Sequence, residues 1–307
     1  MKDLNEFELH QQWKKACKKA KLDIEGKDDL FYSRLVGNGK TLLALFRALY
    51  GEHPAGEGAE EKLLLLLMTA HRNRSAALRE RDKEKSAAGV WFASQRIAGM
   101  SLYIDRFCGD LKQFPEKIPY LKKLGVNFIH FMPLLESPAG ESDGGYAVSN
   151  FRAIDPRFGQ MADFELSLNE WRSAGGYAMM DIVLNHTSHR HAWAEKAKAK
   201  DPHYSDYYYF FPHREEPDQY DAFMPEIFPE SAPGSFTYVP ERGDWVMTVF
   251  HQYQWDLNFR NPLVLVDMLE NIFYYANLGI DVLRIDAPAF IWKEKGTSCQ
   301  NLPQAHA

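Results

Sequence analysis

The segment Gly279-Ile-Asp-Val-Leu-Arg284-Ile-Asp286-Ala287 places an apolar strand directly before a carboxylate, with an arginine two residues before that carboxylate. Residues i and i+2 of a strand project to the same side, so Arg284 and Asp286 are expected to be neighbours. A guanidinium beside Asp286 lowers the pKa of that carboxyl and keeps it ionised, as a nucleophile or an electrostatic stabiliser requires. The alternative interpretation is a strand that ends in a surface salt bridge, and this segment alone leaves both open.

The sequence around this segment alternates short apolar strands with helical stretches from about residue 98 onward. Strands are predicted at residues 101–105, 125–132, 176–184 and 279–285, and helices at 114–124, 164–174 and 262–278. This order is typical of a buried parallel sheet, either an open doubly wound sheet or a barrel, and both form their sites at the carboxyl ends of the strands. The polar residues predicted at those ends are Asp105, Asp143, Asn185, His186 and Asp286.

Composition describes an ordinary globular chain of 307 residues, of which 45% are hydrophobic and 25% charged. The net charge of -6 argues against nucleic acid as a partner, since sequence-independent binding needs a basic surface. The three cysteines, Cys17, Cys108 and Cys299, lack the spacings of a metal site or a disulfide framework and favour a reducing compartment. Because the N-terminus has no apolar signal core and residues 63–68 form the longest apolar run, we expect a cytoplasmic protein with no membrane partner.

The N-terminal third has a different pattern from the rest. Residues 1–90 carry apolar residues at helical spacing and are predicted to form a helical domain. Glycines at Gly37-Asn38-Gly39 and turn-forming residues at 53–58 are expected to divide it into separate helices. The charge run at residues 72–85 is expected to be a solvated helix face without a catalytic role.

A segment dense in aromatic residues, 187–260, lies between the third and fourth predicted strands. One interpretation is a loop-rich subdomain whose rings form its own core. The other is the apolar platform of a ligand site, to which a polar, stacking ligand such as a sugar is suited. The four histidines of this segment lack the spacing of a metal motif, so they are predicted to be surface residues, and no metal or cofactor is predicted: His189, His191, His203 and His213.

Two of these segments carry a family resemblance. Asp181-Ile-Val-Leu-Asn185-His186 resembles the first signature of the α-amylase family of glycoside hydrolases, family 13, and residues 279–286 resemble the second. Segments that resemble the amylosucrases of that family lie at 142–149, 185–188, 218–221, 226–229, 254–258 and 290–293 with 296–306. The resemblance covers nearly all of residues 90–307.

The fold that this resemblance implies is the (β/α)₈ TIM barrel of the α-amylase type. Its parts are expected at residues 1–90 for the N-terminal helical domain, 91–186 for the first barrel part, 187–260 for an inserted B domain and 261–307 for the barrel continuation. Roughly 250 residues make a complete barrel, and the barrel-like segments here amount to about half of that. We therefore expect only about the first half of the barrel in this chain.

The activity that the resemblance implies is retaining glucosyl transfer from sucrose to an α-glucan acceptor, with release of fructose. Asp286 would be the nucleophile, and Arg284 would hold it ionised. The residues expected to bind the glucosyl unit are Asp143 at the pocket floor, Tyr146 and Phe250 as apolar walls, His186 on the hydroxyl groups and Gln254 as a further sugar contact. Hydrolysis of sucrose is the alternative reaction within the same fold.

Each of these assignments has a structural alternative. Asn185 and His186 could cap the turn that follows the strand, and Phe250 could be a core residue. Asp181 lies within the strand and is expected to organise the barrel core. The family's general acid follows a fifth strand, for which this sequence has no residues, so the expected chain is a portion of an amylosucrase-like enzyme. It could also be an inactive fragment with weak sugar binding, or one that needs a complementing C-terminal barrel half.

Overall fold

The computed structural model describes residues 6–22 and 29–307, which form two compact units. The first unit holds the described residues up to Ser94 together with Arg260–Asn277 and Ala307. The second holds Gln95–Phe259 and Leu278–His306. None of the helices within the described ranges is both long enough and apolar enough to cross a membrane.

The secondary structure follows the predicted order of helices first and strands with helices afterwards. In chain order the helices are α1 Glu6–Lys19, α2 Asp29–Tyr50, α3 Gly56–Asn73, α4 Ala76–Ala87, α5 Ile104–Phe107, α6 Phe114–Lys123, α7 Met161–Ser173, α8 Ala192–Lys198, α9 Pro202–Ser205, α10 Glu215–Asp221 and α11 Pro262–Leu278. The strands are β1 Gly99–Leu102, β2 Phe128–Phe131, β3 Leu135–Glu136, β4 Asn150–Ile154, β5 Tyr177–Val183, β6 His186–Ser188, β7 Phe210–Phe211, β8 Phe236–Val239, β9 Asp244–Met247, β10 Gln254–Asp256 and β11 Val282–Asp286. Short 3₁₀ turns lie at Trp91–Ala93, Asp143–Gly145, Pro288–Phe290 and Pro303–Ala305.

The first unit is helical, as predicted, and its core is built from one face each of α1, α2 and α3. The chain turns between Tyr50 and Gly56, close to the predicted break at residues 53–58. The predicted break at Gly37-Asn38-Gly39 is wrong, because α2 runs through it. A Cβ on Gly39 would lie 2.2 Å from a ring carbon of Trp13, so this glycine lets two helices approach and does not end one.

The second unit contains the parallel sheet. Its four strands have the order β1-β2-β5-β11 and are all parallel, so the predicted α/β fold is confirmed. Buried rings of α6, β2 and α7 pack edge to face against one face of this sheet, for example Phe114 and Phe131 at 5.3 Å between centroids. Asp105 does not end a strand, because β1 stops at Leu102 and Asp105 lies in α5.

The aromatic segment forms a small subdomain with sheets of its own. Strands β7, β9 and β8 make a three-stranded antiparallel sheet, and β6 pairs with β10. Four of its rings are buried in a local core: Tyr209, Phe211, Tyr220 and Phe236. Phe250 packs at the edge of that core, half-buried. The segment therefore carries its own core and also presents a ring toward the end of the parallel sheet.

Candidate active site

The ends of β5 and β11 bring an arginine and two carboxylates together. The parallel register pairs Arg284 with Asp181 and Asp286 with Val183. Arg284 Nη1 donates to Asp181 Oδ1 and lies 3.3 Å from Asp286 Oδ1. Arg284 and Asp286 are thus neighbours as the i, i+2 spacing predicts, and the guanidinium is shared with a second carboxylate.

The charge state of Asp286 depends on a balance of burial and neighbouring charges. Burial raises the pKa of Asp286 above its ordinary value, Arg284 opposes that rise, and the charges of Asp181 and Asp143 add to it. Arg284 thus acts on Asp286 in the expected direction, but the net pKa shift is upward. A carboxyl group in this position is therefore more basic than that of a solvated aspartate.

The backbone turns sharply directly after Asp286. Ala287 has a left-handed conformation with φ of +50°, which is uncommon for a residue with a Cβ. Pro288 then opens a 3₁₀ turn, where a missing backbone donor costs little. This turn ends the strand at Asp286 and leaves its carboxylate at the carboxyl edge of the sheet.

A second group of side chains connects the paired strands β6 and β10 with the 3₁₀ turn at Asp143–Gly145. Gln254 Nε2 lies 3.1 Å from Asp143 Oδ2 and 3.0 Å from His186 Nε2, so the amide connects the other two. Desolvation lowers the pKa of His186 to about 4, which keeps the imidazole neutral. The Phe250 ring lies 5.1 Å from the His186 ring between centroids.

Tyr146 joins the two groups. Its hydroxyl lies 3.5 Å from Arg284 Nη1, and its backbone is a hydrogen-bond partner of His186. Burial raises the pKa of Tyr146 to about 12, so the hydroxyl stays protonated. All seven candidate residues therefore form one connected set: Asp143, Tyr146, His186, Phe250, Gln254, Arg284 and Asp286.

A buried ion pair holds Asn185, the neighbour of His186, in place. The sequence pattern did not indicate this ion pair. Lys293 Nζ lies 2.7 Å from Asp256 Oδ1 and donates to Asn185 Oδ1 at 3.0 Å, with both charged side chains fully buried. Asn185 in turn donates to Asp256 at 2.7 Å and lies beside His186. Asn185 is therefore fixed by a charged pair and does not simply cap a turn. A lysine within the apolar run at 290–293 was the available signal.

The histidines of the aromatic segment differ from one another in exposure. His203 and His213 are exposed as predicted, whereas the surface prediction is wrong for His191, which is 6% exposed. His191 Nδ1 accepts from the Trp193 backbone and caps α8, and its ring packs against Trp193 and Phe151. Within residues 6–22 and 29–307, no group of three or more His, Cys, Asp or Glu side chains is arranged to hold a metal ion.

His130 is a further buried polar residue at this end of the sheet that the sequence analysis missed. It lies on β2 with 8% exposure, and its Nε2 atom is 3.0 Å from Asp181 Oδ2. Asp181 thus organises the barrel core as expected, through two partners. A histidine inside the otherwise apolar strand Phe128–Phe131 was the signal for it.

Curated relatives share sequence with about two thirds of this chain. The trehalose synthase/amylase TreS of Mycolicibacterium smegmatis is 35% identical over 201 residues, which are 65% of this chain and 33% of that protein. The oligo-1,6-glucosidase of Parageobacillus thermoglucosidasius is 35% identical over 188 residues, which are 60% of this chain and 32% of that protein. The chain thus spans about a third of the length of the curated relatives it matches.

Solved structures that resemble this chain also match about two thirds of it. A "Family GH13_31 enzyme" superposes with a TM-score of 0.60 and 32% identity, covering 70% of this chain and 43% of the other. An isomaltulose synthase mutant from Erwinia rhapontici NX5, in complex with its natural substrate sucrose, superposes with a TM-score of 0.57 and 28% identity. That likeness covers 64% of this chain and 36% of the other.

The family model described as alpha amylase, catalytic domain, matches residues 73–307, which include part of the first unit, the whole of the second unit and every residue of the site. This match agrees with the parallel sheet and with the arginine and carboxylate at its carboxyl edge. The chain therefore belongs to the α-amylase family, glycoside hydrolase family 13, whose enzymes act on glycosidic bonds.

Proposed function

We propose that this chain carries the nucleophile and half of the sugar pocket of an amylosucrase-like glucosyltransferase, which takes glucosyl units from sucrose and adds them to an α-glucan. The observation that carries the proposal is the connected set of seven side chains, with Asp286 at one end and the neutral His186 and Gln254 at the other. This arrangement offers a carboxylate, an apolar ring and hydroxyl-binding groups on one rim, as a glucosyl unit requires.

The proposed chemistry is a double displacement. The Asp286 carboxylate attacks the anomeric carbon, the bond from that carbon to the fructosyl oxygen breaks, and a carboxylic acid protonates the departing oxygen. The hydroxyl of an acceptor sugar then attacks the glucosyl ester, gives its proton to the carboxylate that the acid became in the first step, and restores Asp286. Arg284 limits the pKa rise of Asp286 and so favours the ionised form of the nucleophile.

Gln254 supports the assignment of a polar ligand to this rim. Its side chain is fully buried, and its Oε1 atom accepts no hydrogen bond from any part of the chain that the structure describes. A buried acceptor without a partner is costly, and a hydroxyl group of a bound sugar would satisfy it. The adjacent Phe250 ring would cover the apolar side of such a sugar.

Sucrose is the donor we propose, because the resemblance at residues 142–149 and 254–258 is to amylosucrases and a solved neighbour has sucrose as its natural substrate. Hydrolysis of sucrose is the second candidate, since both reactions pass through the same glucosyl ester.

The identity of the donor is tested by measuring how well each sugar protects Asp286 from labelling by α-D-glucosyl fluoride. Sucrose should slow the labelling of Asp286 described below more strongly than maltose or trehalose at equal concentration, and stronger protection by trehalose would contradict sucrose as donor.

The experiment on the nucleophile uses α-D-glucosyl fluoride, because fluoride leaves as an anion and needs no acid. The 307-residue chain should gain the mass of one glucosyl group, and peptide mapping should place that group on Asp286. Asp286→Asn is the matched variant and should gain none. A parent chain that stays unlabelled, or a label that persists in Asp286→Asn, would contradict the proposed nucleophile.

A further inference from the structure

One line of hydrogen bonds crosses all four strands of the parallel sheet on the face that carries Asp286. Ser101 Oγ on β1 lies 3.2 Å from His130 Nδ1 on β2, and His130 Nε2 lies 3.0 Å from Asp181 Oδ2 on β5. Asp181 Oδ1 then accepts from Arg284 on β11. Ser101 and His130 are register partners, as are Asp181 and Arg284, so the line follows the pairing of the sheet.

This line of hydrogen bonds reaches Asp286 through one atom, the Nη1 nitrogen of Arg284. Arg284 Nη1 contacts Asp181, lies 3.3 Å from Asp286 and lies 3.5 Å from the Tyr146 hydroxyl. The Asp181 side chain is 1% exposed, whereas that of Arg284 is 45% exposed. The buried carboxylate is thus the fixed member of the pair, and the arginine is the one that can move.

We infer that His130 is a positioning residue for Asp286: by holding one oxygen of Asp181, it leaves only the other oxygen for Arg284 and so keeps the guanidinium shared between Asp181 and Asp286. A carboxylate without His130 has two free oxygens and binds a guanidinium with both, because the two-pronged pairing is the stronger one. That pairing draws Arg284 away from Asp286. The inference rests on the proposed role of Asp286 as nucleophile.

Ser101, His130 and Asp181 are also the residue types of a nucleophilic triad, and Ser101 is exposed. A triad needs its aspartate charge to stabilise the imidazolium that forms during catalysis. Here Arg284 already compensates that charge. The line is therefore assigned to positioning and not to a second hydrolytic centre.

The matched variants are His130→Leu and His130→Gln. Leucine fills the site without a donor, whereas glutamine places an amide N–H near the position of Nε2 and can still hold Asp181. The first readout is the rate at which α-D-glucosyl fluoride labels Asp286, measured against pH. His130→Leu should shift the acidic limb of this profile upward by about one pH unit. At a given pH on that limb, labelling should therefore be roughly tenfold slower. His130→Gln should restore the parent profile.

The second readout does not depend on labelling. The chain is produced with ¹³C at the aspartate carboxyl carbons, Asp286 is assigned with Asp286→Asn, and its titration is followed by NMR. The charged groups that act on Asp286 are Arg284, Asp181 and Asp143, with the Tyr146 hydroxyl also close. The pKa of Asp286 should rise in His130→Leu and return in His130→Gln.

The outcomes separate this inference from the proposed function. An unchanged Asp286 titration in His130→Leu overturns the positioning role, whatever the labelling shows. A shifted titration in a chain that never labels supports the positioning role and contradicts the proposed nucleophile. If His130→Leu does not fold, Ser101→Ala replaces it, because it frees the ring of His130 and should shift the titration in the same direction. Acylation of Ser101 by an activated ester would identify a triad and overturn the inference.

Discussion

Among single residues, His191 links pH to stability most directly. Burial lowers its pKa from 6.5 to about 4, and its Nδ1 must stay unprotonated to cap α8. Because the folded-state pKa is the lower one, the unfolded chain takes up the proton first. Stability is therefore complete above pH 6.5 and is lost as the pH falls toward 4.

We expect His191→Asn to remove part of this dependence. Asparagine retains a side-chain acceptor for the helix cap but does not titrate. The parent should lose about 2 kcal/mol of unfolding free energy through His191 between about pH 7 and about pH 5, and the variant should lose correspondingly less. Urea unfolding of both chains at the two pH values measures this, and parallel losses in parent and variant would contradict a buried neutral His191. His186 has a pKa lowered in the same way and contributes to both chains equally.

The residues of the site differ in how far the sequence reveals them. Asp286, Arg284 and His186 lie in contiguous motifs at strand ends, so local spacing and family resemblance suffice to find them. The roles of His130 and Asp256 are less visible, because they come from partners 51 and 37 positions away in the chain, which local spacing does not contain. The upward pKa shift of Asp286 is likewise a product of burial, which a two-residue spacing does not contain.

At the level of elements, α2 shows why glycine alone does not end a helix. Gly37 is exposed and a Cβ there meets nothing within 4 Å, whereas Gly39 is buried against Trp13. By sequence pattern, both glycines predict a break in the helix. In the structure, Gly37 is a solvent-exposed position, whereas Gly39 allows α1 and α2 to pack closely. The helix continues because this close packing offsets the low helix propensity of glycine.

The two glycines form a matched pair for mutation. Gly37→Ala should raise the free energy of unfolding by about 0.5 to 1 kcal/mol, because alanine favours the helix and reduces the freedom of the unfolded chain. Gly39→Ala should lower it by about 1 to 3 kcal/mol, since the new methyl group overlaps the Trp13 ring. Chemical denaturation measures both. If both substitutions changed the free energy of unfolding by the same amount and in the same direction, α1 and α2 would not pack as described.

The buried ion pair between Lys293 and Asp256 connects the turn after β11 to β10. Lys293→Met should lower the free energy of unfolding by about 3 to 5 kcal/mol, because it leaves the Asp256 charge buried without compensation. Adding Asp256→Asn to that variant should recover part of the loss. Lys295→Met is the control, since the exposed pair of Lys295 with Glu216 contributes about 1 kcal/mol or less. A similar small effect of both lysine substitutions would refute a role for the buried pair.

At the level of the whole molecule, the parallel sheet has two outer strands. In the ranges that the structure describes, β1 and β11 each pair with one neighbour, and Ile285 on β11 is 42% exposed. An edge strand with an exposed apolar residue favours pairing with another chain. We expect light scattering to show a mass above that of one 35.4 kDa chain that rises with concentration, and Ile285→Lys to reduce it. A constant mass of one chain would show that these edges do not pair.

The proposed reaction with sucrose also depends on the carboxylates that act on Asp286. Retaining transfer needs a protonated carboxyl about 5 to 5.5 Å from the nucleophile to protonate the leaving oxygen. Asp181 is held by His130 and Arg284, and Asp143 by Gln254, so neither is free to act as that acid.

We therefore expect the purified chain to release no fructose from sucrose above background, although α-D-glucosyl fluoride, which needs no acid, should label Asp286. A coupled fructose assay measures this, with Asp286→Asn as the blank. Loss of acid assistance costs a factor of about 100 to 10,000 in rate, which is enough to hide turnover behind the blank. Fructose release that Asp286→Asn abolishes would show that one of the two paired carboxylates, or a second copy of the chain, supplies the proton.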